Sequence, residues 1–180
     1  MEKKTIWDLN RVSVDEYKST VKKFPIVVVL DNIRSLNNVG SVFRTADAFL
    51  VSKIMLCGIT ATPPNNEIHK TALGAEDSVD WQYFDSTIDC IEALKNDGYT
   101  LCCLEQVKDS VALQDFKIES DKKYAIILGN EVNGVDQAVV DNCDVCIEIP
   151  QYGTKHSLNV SVSVGVILWH IRSQMPVISR

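Results

Sequence analysis

In the stretch 30–49, LDNIRSLNNVGSVFRTADAF, an asparagine at 38 precedes an arginine at 44. Asn37 or Asn38 can cap a helix whose apolar stripe is Val39, Val42, Phe43, Ala46, Phe49 and Leu50. At 100° per residue, Arg44 then lies about 160° from the centre of that stripe. A guanidinium there can grip a phosphate or steady a developing oxyanion, and an ordinary solvated arginine would occupy the same face.

Two further stretches offer chemistry. ILGNEVNGV at 127–135 puts a glycine loop after an apolar run. A P-loop would need Lys and Ser or Thr after the second glycine, where Val135 and Asp136 stand, and the third glycine of a dinucleotide fingerprint is missing. A backbone-lined loop for a ligand without a phosphate anchor remains, beside the plain alternative of a strand-to-helix turn. IEIPQYGTKHSLNVSVSVGVILW at 147–169 ends a strand at Ile149-Pro150 and enters the last segment through Ser157-Leu158-Asn159. Ser157 suits an N-cap.

The elements that would position these residues alternate. Apolar runs at Ile26–Leu30, Lys53–Cys57, Trp81–Phe84, Tyr99–Leu104, Tyr124–Leu128 and Val145–Ile149 read as strands. Helices are expected over Val39–Leu50, Thr87–Lys95 and Val135–Val140, with one longer irregular connection, Gly58–Glu67. The alternation indicates a single α/β domain with a mostly parallel sheet and helices on both faces. The terminal stretch 158–177 alternates Val160, Val162, Val164 and Val166 like a strand, but it is too long for one and also repeats at helical spacing, which favours a helix.

Composition bounds the function. The 180 residues are 46% hydrophobic and 23% charged, as in ordinary globular domains. No run is long and apolar enough for a membrane span and the N-terminus has no secretory core, so a cytoplasmic protein without membrane contact is expected. Cys143 and Cys146 form one C-x-x-C without a second pair, so buried thiols are expected rather than zinc, and no metal site is foreseen. Net charge is −6, yet residues 1–25 hold six Lys or Arg against four acids, and residues 151–180 hold three against none. An acidic body with basic ends would hold a polyanion weakly and locally, and charge alone favours a plain acidic protein.

In order and spacing, the three stretches resemble the signature motifs of the SpoU-type, or TrmH-like, branch of the SPOUT RNA methyltransferases, over roughly residues 25–175. The resemblance implies S-adenosylmethionine as cofactor, a ribose 2′-hydroxyl of tRNA or rRNA as acceptor, a homodimer, and an α/β fold ending in a deep trefoil knot. It implies residues 25–180 as the methyltransferase domain, with 1–24 as a short extension available for RNA contact. Leu104, Gly129, Asn130, Ile149 and Leu158 would bind the cofactor. Arg44, held by Glu131 and Asn38, would work with Ser157 and Asn159 in catalysis, and Arg34, Arg44, Lys155 and Arg172 would meet RNA around the cup. A guanidinium is a poor base, so the group that takes the hydroxyl proton stays open. A SPOUT-type base methyltransferase and a non-catalytic RNA- or cofactor-binding relative are the alternatives.

Overall fold

The computed structural model describes residues 1–5, 7, 8 and 12–175. Helix α1 (Val14–Thr20) precedes strand β1 (Phe24–Asp31), helix α2 (Leu36–Ala48) and strand β2 (Val51–Cys57). Two short helices, α3 (Asn66–Ala72) and α4 (Ala75–Ser78), lead to β3 (Asp80–Phe84), α5 (Thr87–Asn96) and β4 (Tyr99–Leu104). The chain continues through β5 (Val111–Ala112), β6 (Lys123–Leu128), α6 (Gln137–Val140), β7 (Val145–Glu148) and α7 (Val160–Ser173). Sequence reading missed α1, α3, α4 and β5, all short elements with little hydrophobic periodicity of their own.

The strands form one sheet in the order β3-β2-β1-β6-β4-β7-β5, and every pairing among the described strands is parallel. Side-chain alternation divides the core. Ile26, Val28 and Leu30 of β1 pack with the apolar faces of α2, α3 and α7, whereas Val27 and Val29 meet Ile91 and Leu94 of α5 and Val139 of α6. Helices therefore cover both faces, as expected. No helix among the described residues is long and apolar enough to cross a membrane.

Two helix starts differ from the sequence reading. The cap of α2 is Ser35, whose hydroxyl accepts from the Asn38 N–H at 3.3 Å, so neither Asn37 nor Asn38 serves as cap and the Asn38 side chain is released for other work. The cap of α7 is Asn159 rather than Ser157, with its Oδ1 accepting from the Ser161 N–H at 2.9 Å. In α7, burial of Val160, Val164, Ile167, Leu168 and Ile171 overrides the low helix propensity of valine. Val177, Arg11 and Arg180 lie outside the described residues.

The cysteines are all free thiols. Cys57, Cys90, Cys102 and Cys103 are buried, while Cys143 and Cys146 are half-buried. Cys143 sits in the turn ahead of β7 rather than in the strand, its Sγ 3.3 Å from the Val139 carbonyl.

Candidate active site

The carboxyl ends of β1, β6, β4 and β7 stand side by side, and the loops that leave β4, β6 and β7 enclose a cleft of about 540 Å³. A crevice at the carboxyl edge of a parallel sheet is where open α/β proteins generally bind ligands. Leu104, Gly129, Asn130, Ile149 and Leu158 all line it, and so do Glu131, Ser157 and Asn159. Both α2 and α7 begin at this edge and run down the same face, which brings Asn38 and Asn159 together at the top and Phe49 against Trp169 lower down, ring centroids 6.3 Å apart.

A chain of hydrogen bonds joins the three motifs. Asn159 Nδ2 donates to Asn38 Oδ1 at 3.1 Å, and Asn38 Nδ2 donates to Glu131 Oε1 at 3.0 Å. Glu131 also accepts from the backbone N–H groups of Arg34 at 3.0 Å and Ser35 at 3.1 Å. Burial pushes the Glu131 carboxyl up, but the Arg34 N–H, the Asn38 amide and the Ser35 N–H outweigh it and hold the group below its usual range. The relay orients each amide: Asn38 must present nitrogen to the carboxylate and oxygen to Asn159.

Glu105 and Gln106, which sequence reasoning passed over, tie the remaining walls together with the expected Gly129 and Asn130. Glu105 accepts from the N–H of Val135 at 3.0 Å and of Gln106 at 2.9 Å, and Gln106 Nε2 donates to the His156 carbonyl at 2.6 Å. Asn130 Nδ2 donates to the Asn32 carbonyl at 2.7 Å. At Gly129 a Cβ would collide with the backbone of Gly134 and Val135, so only glycine lets the loop fold back on itself. Glu105 and Gln106 carried no signal beyond following a strand end.

Two expected residues, Arg44 and Arg172, are placed otherwise. Arg44 is exposed, does not line the cleft, and is not bonded to Glu131, whose oxygens are taken by Arg34, Ser35 and Asn38. Six residues beyond Asn38, it stands about 9 Å along α2 and roughly 120° around it. Arg172 lies in the last turn of α7, its guanidinium 4.6 Å from the centre of the Phe24 ring, at the far end of the sheet from the cleft. It is therefore not part of the rim. Arg34 and Lys155 are exposed on segments that border the cleft.

A cleft assembled from three loops at the carboxyl edge of a parallel sheet, with asparagines and a glutamate linking the motifs, is the arrangement of a ligand-binding α/β protein. The chain belongs to the SpoU rRNA Methylase family, whose model matches residues 25–169. It is 33% identical over 156 residues to a protein of Borreliella burgdorferi named as an uncharacterized tRNA/rRNA methyltransferase, covering 86% of this chain and 66% of that one. It is 27% identical to the 23S rRNA (guanosine-2′-O-)-methyltransferase RlmB of Neisseria meningitidis, covering 92% of this chain and 65% of the relative. The AdoMet-bound rRNA methyltransferase of Sinorhizobium meliloti superposes with a TM-score of 0.80 at 26% identity, over 87% of this chain and 59% of its own. The chain thus spans somewhat less than two thirds of the length of these proteins.

Proposed function

We propose that this chain transfers the methyl group of S-adenosylmethionine to a ribose 2′-hydroxyl of tRNA or rRNA, in the cytoplasm and as a homodimer. The observation that carries the reading is the Asn159–Asn38–Glu131 relay, which fixes the third motif against the first beside a cleft of about 540 Å³. The relative named as a guanosine-2′-O-methyltransferase and the AdoMet-bound neighbour support acceptor and cofactor.

The cleft suits the cofactor. Leu104, Leu128, Ile147, Ile149 and Leu158 give apolar walls for an adenine, and Glu105, Glu131 and Glu148 give carboxylates for a ligand carrying a sulfonium and an ammonium. Gly129 keeps its loop close enough for backbone groups to serve as ligands. When bound, S-adenosylmethionine supplies a methyl group on a cationic sulfur with a neutral thioether as leaving group. The protein's share is placement: Asn159 and Asn38 are locked by the relay, and Ser157 is exposed on the cleft wall to meet the ribose. Such positioning accounts for several kcal/mol of a displacement barrier, about 7–11 at most. In this reading the loops are held by a knot in which the chain after β7 passes through an earlier loop, and residues 1–24 lend phosphate contacts.

The dimer rests on α7. Leu158 (39% exposed), Val162 (50%), Val166 (37%) and Trp169 (66%) form an apolar stripe on the face opposite the core. Pairing through that stripe covers the neighbouring solvent face of α2 as well, and with it Arg44, which reaches a ribose only when another surface closes over it.

The test is tritium transfer from labelled S-adenosylmethionine to tRNA and rRNA from cells lacking the gene, followed by nucleoside analysis. Label in 2′-O-methyl nucleosides, which protect the adjacent phosphodiester from alkali, is expected. Label confined to a base would refute the ribose assignment.

A further inference from the structure

Four ionisable residues line the cleft among the described residues: Glu105, Glu131, Glu148 and His156. The three carboxylates are already committed. Glu105 accepts from the N–H groups of Val135 and Gln106, Glu131 from Arg34, Ser35 and Asn38, and Glu148 from the Ser110 hydroxyl at 2.8 Å. Each of those bonds occupies a carboxylate oxygen that an incoming proton would otherwise find free. An ordinary carboxylate is also a weaker base than imidazole by roughly two pK units.

His156 differs on both counts. Its carbonyl accepts from Gln106 Nε2 at 2.6 Å, which pins the residue to the β4 loop at the cleft wall. Its ring makes no hydrogen bond to the described residues and is exposed. Ser157 and Leu158, which follow it, line the same wall. Imidazole is the side chain whose ordinary titration range suits proton uptake near neutrality.

We propose that His156 is the catalytic residue that accepts the proton of the acceptor hydroxyl, in the methyl transfer proposed above and resting on that reading. The 2′-oxygen forms its bond to the methyl carbon while the carbon–sulfur bond breaks, its electron pair staying on sulfur as a neutral thioether. The hydroxyl proton passes to an imidazole nitrogen. Glu105, Glu131 and Glu148 face the cleft from the β4, β6 and β7 ends and stabilise the imidazolium so formed, while Lys155 and Arg34 outside the cleft oppose it and are screened by solvent. Solvent then removes the proton before the next turnover.

The experiment uses the full chain, labelled S-adenosylmethionine, and tRNA and rRNA from cells lacking the gene. Rates are taken across pH 5.5–8.5 for the wild type, His156→Gln and His156→Ala, with cofactor affinity measured by calorimetry as the check on folding. The expected wild-type profile falls on its acid side, where a general base is lost to protonation. Both variants should keep cofactor affinity within about threefold and KM for RNA little changed, lose roughly 10²–10⁴ in kcat, and lose that acid limb. Added imidazole should restore part of the His156→Ala rate and none of the wild type's. A wild type that methylates RNA while both variants keep its rate and pH profile overturns the assignment alone. A wild type that transfers no methyl to either RNA overturns the activity and the role together.

Discussion

Glu131 is the residue on which the motifs converge, and its chemistry gives a pH signature. Its carboxyl is held below the usual range, so the stabilisation is complete above the unfolded pKa and fades as pH falls through the lower, folded value. Glu131→Gln should therefore lower Tm at pH 7, and the gap to wild type should close as melting is followed below about pH 4. The gap stays modest, under about 1 kcal/mol, because the group is largely solvent-exposed and screened. Cys143 gives a second signature. The neighbouring Cys103 thiol donates to it and holds its pKa down, against burial, while the Cys103 thiol itself is pushed up. Timed alkylation at neutral pH with peptide mapping should label Cys143 ahead of Cys57, Cys90, Cys102 and Cys103. At Arg44, alanine should abolish methyl transfer while leaving cofactor affinity within a few-fold, measured by tritium transfer and calorimetry, because the side chain stands outside the cleft. Near-normal activity would remove it from the mechanism. The residue types of the site were legible in the sequence, but their roles were less so. Ser35 took the cap that Asn37 and Asn38 were equally fit for, and nothing local distinguishes three good caps within four residues.

At the scale of elements, the strands were readable because each is a short, unbroken apolar run. The long α7 was readable by length more than by pattern. What the sequence hid were the elements whose stability comes from their neighbours: α3 packs on α2, and α4 on α1 and α2. The loop after β6 depends on one small residue. Gly129→Ala would force apart the backbone at Gly134 and Val135, and cofactor affinity by calorimetry should fall at least tenfold with a lowered Tm. The α7 stripe yields the matching test of assembly. Val162→Glu puts a charge at its centre and should shift sedimentation from a dimer to a 20.1 kDa species, with no loss of helical signal because Val162 is already half-exposed.

For the whole molecule, the strand order could not be read from the sequence, since β6 enters between β1 and β4 through contacts nearly a hundred residues apart. The −6 net charge likewise says little until its layout is known: Lys23 is bonded to Ser78 and Asp80, and Tyr17 to the Asp47 carbonyl, so part of the basic N-terminus is already engaged with the body. Removal of residues 1–12, ahead of α1, isolates the rest. If that segment meets phosphates, RNA affinity should weaken across a salt series with its logarithmic slope reduced by roughly 0.7–0.9 per lost contact.

The meeting of Asn38 with Asn159 also sets a clock. Those residues are 121 positions apart, and the wall that holds Ser157 and Asn159 comes together with the first motif only when α7 docks beside α2. Contacts so remote cost more loop-closure entropy and form slowly. A chain whose α7 has yet to dock therefore lacks one wall of its cleft and part of its core at once, so site and core are completed by the same event.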